Sequence, residues 1–178
     1  MENANAPDSR QIVALYASDP RRGFDLLYRL FANRVATYLR RSFNLEPDEI
    51  SDIVHDTFLP WVENPDKMKT VENPASYLFS TAKYIAMEIK HRKRKTVSEA
   101  DAPCPLSDFD STKIETGMAI ADALSRLPEE QRETVALKIW GDLTFEEIAA
   151  VQQVSLQTAA SRYRYALQKL KEILAWTE

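Results

Sequence analysis

The stretch LPEEQRETVALKIWGDLTFEEIAAVQQVSLQTAASRYRYALQKLKEIL, Leu127 to Leu174, decides the fold. Pro128 suits the opening of a helix, and Gly141 suits its end in a left-handed turn. Thr144 stands three residues before Glu147, the reciprocal cap that starts a second helix at TFEE. A turn over Gln152 to Ser155 leads to a last helix, from about Leu156 to Trp176, on which Ala159, Tyr163, Ala166, Leu170 and Ile173 recur every three or four residues. That stripe faces the preceding helices, and small Ala149 and Ala166 permit close contact. The unit reads helix, turn, helix.

Upstream, VSEADAPCPLSDFDSTK, Val97 to Lys113, combines two prolines, three serines and four acids without a helical period and reads as a linker. Before it, apolar residues keep helical spacing through Phe24, Leu27, Tyr28, Phe31, Val35, Tyr38 and Leu39, then through Ile50, Ile53, Val54, Thr57, Phe58 and Trp61. Pro47 fits the first turn of the second of these helices. Pro74 fits the first turn of a third, capped by Asn73 and carrying Tyr77, Leu78, Ala82, Ile85 and Ile89. Pro60 should kink or end the second helix, since it lacks a donor and crowds the preceding turn. No stretch alternates with the period of a strand. The expectation is an all-α chain of two small helical domains, 1–95 and 114–178, joined by a flexible acidic linker at 96–113.

Composition bounds the function. The chain has 178 residues, 44% of them hydrophobic, and three glycines, which leaves little room for a glycine-rich phosphate loop. One cysteine, Cys104, and two histidines make neither a disulfide framework nor a zinc set, so no metal, cofactor or catalytic residue is expected. His55 stands between Val54 and Asp56 with no second ligand at helical spacing and reads as a surface polar group. The amino terminus lacks the pattern of a secretory signal and no apolar run would span a bilayer, so a cytoplasmic protein without membrane insertion is expected. The net charge of -4 hides segregation: Arg21 to Leu45 carries six Arg against one Asp, and Glu46 to Asp66 seven acids with no Lys or Arg. Lys83 to Lys95 has six Lys or Arg against Glu88, and Thr96 to Ile120 five acids against Lys113. Such blocks suit solvated faces, and the basic ones also suit phosphate contact.

On the last helix, the face opposite the apolar stripe presents Gln157, Ala160, Ser161, Arg164 and Gln168, flanked by Arg162, Tyr165 and Lys169, with Ser155 and Thr158 near its amino end. An ordinary amphipathic helix looks like this, and so does the major-groove helix of a DNA reader, in which Gln157 and Arg164 would contact adenine and guanine edges. The whole string resembles the second conserved domain of bacterial sigma factors of the sigma-70 family, extracytoplasmic-function (ECF) group. Leu127, Pro128, Gly141, Glu147, Ile148, Ala149, Thr158, Ser161 and Arg162 match its motif in order and spacing. Gln153 stands where the family usually has Gly in the turn, and Ala159 and Ala160 replace a usual Val and Lys. The resemblance assigns Ser155, Gln157, Thr158, Ser161, Arg162, Arg164, Tyr165 and Lys169 to the -35 promoter element.

The first half resembles the same family. ISDIVHDTFLPWVE, Ile50 to Glu63, is similar to the helix that binds the clamp coiled coil of the largest polymerase subunit: Asp52, Asp56 and Phe58 match, and His55 replaces a usual Gln. NPASYLFSTAKYIAMEIKHRKRK, Asn73 to Lys95, is similar to the helix that holds the -10 element, with Tyr77 and Leu78 at a usual Trp-Leu pair, Lys83 matching, Tyr84 replacing an Asn, and Arg92, Lys93 and Arg94 as its basic end. Holding an opened strand calls for cations along the backbone and a pocket or aromatic face for an extruded base. The family captures that base in the loop before this helix, here 64–72, which nominates Lys67, Met68, Lys69 and Asn73. Among the aromatics Tyr77, Phe79 and Tyr84, at least two are expected to be core.

The resemblance spans about Gln11 to Leu174 and implies a non-enzymatic promoter-specificity subunit whose partners are core RNA polymerase and promoter DNA. It also implies that an anti-sigma factor is a common partner. The competing class is a stand-alone helix-turn-helix regulator, which explains Leu127 to Leu174 but gives no role to the acidic helix.

Overall fold

A computed structural model describes residues 9–43, 45–96 and 120–175, and among these every regular element is helical. The first half contains α1 (Ser9–Ser18), α2 (Pro20–Ser42), α3 (Pro47–Glu63), the single turn α4 (Pro65–Met68) and α5 (Pro74–Thr96). The second contains α6, described over 120–125, then α7 (Glu129–Ile139), α8 (Phe145–Gln152) and α9 (Leu156–Ala175). The expected linker falls on 97–113, outside the described residues, apart from Thr96, which closes α5.

Local chemistry starts these helices where the sequence places them. Asp19 accepts from the Arg22 amide at 3.1 Å, with Pro20 at the first position of α2. Pro47 opens α3, and the Glu49 carboxylate accepts from the Glu46 amide at 2.9 Å. Asn73 accepts from the Ser76 amide at 2.9 Å at the start of α5. One face of each long helix then goes inward: Leu27, Phe31, Val35, Tyr38 and Leu39 from α2, Ile50, Ile53, Phe58 and Trp61 from α3, Leu78, Phe79 and Ala82 from α5. Removing one such side chain to alanine typically costs about 2–5 kcal/mol.

Several expectations are corrected. Helix α1 lies ahead of the periodic pattern and packs on α2, burying Ile12 and Tyr16; the Tyr16 hydroxyl donates to the Trp61 carbonyl. Pro60 lies inside α3, which ends near it, three residues on at Glu63, and closes with the Asn64 amide donating to the Pro60 carbonyl at 2.9 Å. What proline lacks is its own donor, and its carbonyl still serves the last turn. Met68, nominated for a loop pocket, is instead buried in the core. Gly141 does not take the left-handed conformation: Asp142 does, with φ of 50°. Gly141 is needed for space, because a Cβ there would lie 2.4 Å from the Leu137 carbonyl oxygen.

The two halves pack on one another. α2 lies against α7 and α5 against α8, so that Leu137, Leu143, Ile148 and Val151 join the cluster built on Leu27, Phe31, Val35 and Phe79. Five successive residues of α7, Glu133 to Leu137, are buried, because this helix is covered on both sides.

Where α1 crosses α2, a Cβ on Gly23 would stand 2.3 Å from the Tyr16 Cα, a backbone atom that only a shift of α1 can move. Gly23→Ala is therefore expected to lower stability by about 1–3 kcal/mol, read by urea unfolding; a change within about 0.5 kcal/mol, as for an ordinary surface substitution, would contradict this packing.

Candidate protein and nucleic-acid interfaces

Between α2 and α3 runs an open groove of ≈ 610 Å³ whose walls include Phe24, Tyr28, Ile50, Val54, Phe58 and Val62. Tyr28 is 46% exposed and Val62 60%, so its apolar floor reaches solvent. Of the residues assigned to the polymerase, Phe58 is buried beneath the groove with its ring edge-on to Tyr28 at 5.0 Å, and His55 lines the rim. Asp52 and Asp56 are exposed on the same helix, one turn apart. The groove's own lining is mostly apolar, with Asn33, Arg40, Ser51 and His55 as its polar members, and Asp52 and Asp56 stand beside it on α3, next to Ser51 and His55 in the chain.

The residues assigned to the opened strand divide. Ser76, Tyr77, Ser80, Thr81 and Tyr84 line one shallow face of α5, where Tyr84 is 65% exposed and its hydroxyl donates to Glu88 at 3.1 Å. Tyr77 is half-buried edge-on against Trp61, and Phe79 is fully buried, so one of the three aromatics is wholly core and Tyr84 is open. Lys67, Arg92, Lys93 and Arg94 are exposed. Lys69 pairs with Asp66 at 2.8 Å, and Lys93 with Glu49 at 2.7 Å. Asn73 and Lys83 turn toward the second half of the chain: the Asn73 amide donates to Glu147 at 3.0 Å and the Lys83 ammonium to Glu133 at 3.0 Å.

The helix-turn-helix forms as its caps dictate. The Thr144 amide donates to Glu147 at 2.8 Å, and the Glu147 amide to the Thr144 hydroxyl at 3.2 Å. Gln153 takes φ of 56° in the turn and Ser155 accepts from the Thr158 amide at 3.1 Å, which makes Ser155 and Thr158 part of the α9 cap. Ala159 and Ala166 are buried, with Tyr163, Leu170 and Ile173 half-buried beside them. Gln157, Arg164, Tyr165 and Lys169 are exposed, and the Arg164 guanidinium lies 5.0 Å from the Tyr165 ring centre. Ser161 is half-buried, and Arg162 points inward, donating to the Gln152 side-chain oxygen at 3.0 Å.

Sequence patterning does not disclose what joins the halves. Glu133, 8% exposed, accepts from the Tyr38 hydroxyl at 2.9 Å, the Lys83 ammonium at 3.0 Å and the Gln152 amide at 2.9 Å. Gln152 in turn accepts from Thr134 and Arg162. Burial, and then the negative charge and hydrogen bond of Glu133, push the Tyr38 hydroxyl well above the ordinary tyrosine range. Arg34 donates from Nε to the Gly141 carbonyl at 2.8 Å and from Nη2 to the Asp142 carbonyl at 3.1 Å, satisfying oxygens just beyond the end of α7. Lys90 pairs with Glu129 at 2.9 Å at the rim. The only forewarning is a carboxylate among apolar neighbours in ETVALKI; its partners lie 19 to 95 residues away.

No helix among the described residues is long and apolar enough to cross a membrane. Comparison with known proteins places these surfaces in context. Residues 117–170 match the family described as Sigma-70, region 4. The chain is 26% identical over 155 residues to the ECF RNA polymerase sigma factor RpoE of Cereibacter sphaeroides, covering 84% of each chain. It is also 26% identical over 134 residues to the ECF RNA polymerase sigma factor EcfG of Rhodopseudomonas palustris, covering 71% of this chain and 72% of that one. The fold is similar to CnrH, solved in complex with the cytosolic domain of CnrY (TM-score 0.65, 22% identity, 96% of this chain and all of that one). It is similar as well to the sigma factor RpoE of Bartonella quintana, solved with the anti-sigma factor NepR (TM-score 0.64, 21% identity, 89% and 98%).

The left-handed Gln153 carries a cost that glycine would not. Gln153→Gly is expected to raise stability by up to about 1 kcal/mol, measured by urea denaturation, and a loss of stability would show that the Gln153 side chain supports the turn.

Proposed function

We propose that this chain, which belongs to the ECF group of the sigma-70 family, is a promoter-specificity subunit whose separate surfaces take core RNA polymerase, the opened -10 strand and the -35 duplex. In this reading 1–95 is the polymerase-binding and -10 unit, 96–113 the linker and 114–178 the -35 unit. The clamp coiled coil of the largest subunit lies along the α2/α3 groove, its basic side chains met by Asp52 and Asp56, with His55 at the rim and Phe58 as the floor. Tyr77 and Tyr84 on α5 offer aromatic faces to unstacked bases, Lys67 and Lys69 stand in the preceding segment, and Arg92, Lys93 and Arg94 follow the backbone. Lys83 and Asn73 join them once released from Glu133 and Glu147. On α9, Gln157 and Arg164 read base edges, Tyr165 and Lys169 flank them, and Ser155, Thr158 and Ser161 meet phosphates near the helix start. Arg162, held by Gln152, supports α9 from behind.

The observation that carries this reading is the presence, in one chain, of a helix-turn-helix with a polar exposed second helix and an acidic helix bordering an apolar groove. A regulator that binds operators unaided has no use for the groove. The protein brings no bond-making chemistry of its own and works in the cytoplasm with the polymerase. An anti-sigma partner would act by covering the same groove.

Asp52→Ala combined with Asp56→Ala is expected to weaken binding to core polymerase by about tenfold, with the helical circular dichroism unchanged. Unchanged affinity would remove α3 from the polymerase interface. Arg164→Ala is expected to flatten the preference at one position of the -35 element by about 1–3 kcal/mol while leaving core binding as it was, measured by selection of bound promoter variants. An unchanged preference would take Arg164 out of the reading set.

A further inference from the structure

One charge on α5 runs against the use proposed for that helix. Between Lys83 and Lys95, six Lys or Arg stand with a single acid, Glu88. A carboxylate on a helix that follows a phosphate backbone repels what its neighbours attract, so backbone binding gives Glu88 no role. Glu88 is exposed and accepts from the Tyr84 hydroxyl at 3.1 Å, one helical turn away. A single donor takes one of the roughly four acceptor sites of a carboxylate, so the pair keeps capacity to accept. Tyr84 and Met87 are large side chains left in water, on the helix that also exposes Arg92, Lys93 and Arg94. On the amino side of Tyr84, the small side chains of Ser80 and Thr81 help to form a shallow hollow of ≈ 450 Å³. An open aromatic ring therefore has a hollow beside it and a carboxylate at its hydroxyl edge.

We propose that Glu88, held by Tyr84, selects the base of the opened strand that rests on the Tyr84 ring, taking cytosine or adenine and rejecting thymine. A base lying flat on that ring brings its own edge to Glu88, and an ionised carboxylate only accepts. Cytosine N4 and adenine N6 carry amine hydrogens where thymine carries the O4 carbonyl. An amine thus meets Glu88 as a donor, whereas the thymine oxygen meets it as a second acceptor. The ring supplies stacking to any base, and the choice among bases falls to the carboxylate. The inference rests on the reading of α5 as the helix that holds the opened strand.

The test uses polymerase holoenzyme carrying the full chain, on a promoter library randomised through the opened -10 region, with the fragments that yield transcripts sequenced. The unaltered chain should show one position at which thymine is disfavoured about tenfold against cytosine and adenine. Glu88→Gln places an amide there that can donate to a thymine carbonyl as well as accept. It is expected to remove the bias at that position and to leave preferences elsewhere in the element in place. Tyr84→Phe keeps the ring but loses the hydroxyl that holds the carboxylate, and should weaken the bias at the same position. A library pattern with no such position, or a bias that survives Glu88→Gln, overturns the assignment of Glu88 while leaving the proposed function standing. A fall in transcript yield in Glu88→Gln with every base preference intact gives Glu88 a merely structural part and overturns it equally. If the unaltered chain yields no new transcript starts, the proposed function fails and this inference with it.

Discussion

A carboxylate shut away from water between two helical bodies costs several kcal/mol to desolvate unless donors replace the solvent, and Glu133 draws its donors from α2, α5 and α8. That requirement fixes how the halves meet. Tyr38 must be buried with its hydroxyl directed at α7, Lys83 must leave the exposed side of α5, and Gln152 must turn its amide inward, which leaves its oxygen to accept from Thr134 and Arg162. The apolar cluster around these groups supplies most of the driving force for packing, but it would tolerate sliding. The polar contacts set the register, with Arg34 on the carbonyls beyond α7 as a second pin about one helical turn before Tyr38 on α2.

What the sequence discloses is local. Caps and turn residues announce themselves within three or four positions, so Thr144 with Glu147, Asn73 at the start of α5 and Pro47 are all found where the pattern puts them. The periodic faces of α2, α3 and α5 likewise become the core. What escapes is set by distant partners. Helix α1 has too short a pattern to stand out and is held by Trp61, far along the chain. In the sequence Gly141 suits a conformational role, and in the fold its role is spatial. Met68 sits in a polar loop sequence yet fills a gap in the core, as a flexible thioether can.

The site shows the same division. The exposed residues of α9 and the acidic face of α3 are legible, because amphipathic spacing tells which side is wet. Lys83, Asn73 and Arg162 carry the right chemistry at matching positions, but each is engaged inside the molecule by a residue that no spacing rule connects to it. Charge segregation, which reads in one dimension as alternating basic and acidic blocks, becomes in three dimensions a basic helix partly covered by the carboxylates of α7 and α8. A sequence can show that charges are available; it does not show whether they are spent on one another.

On the proposed function, this chain tells polymerase where to begin, through two surfaces that would read DNA and one that would dock on the enzyme. The most direct measurement is transcription by sigma-free core polymerase on a library of genomic fragments, with and without the protein, with transcript starts mapped by sequencing. New starts sharing two spaced upstream elements are the result expected. Binding to core enzyme without new starts, or binding to duplex DNA with no dependence on polymerase, would contradict it.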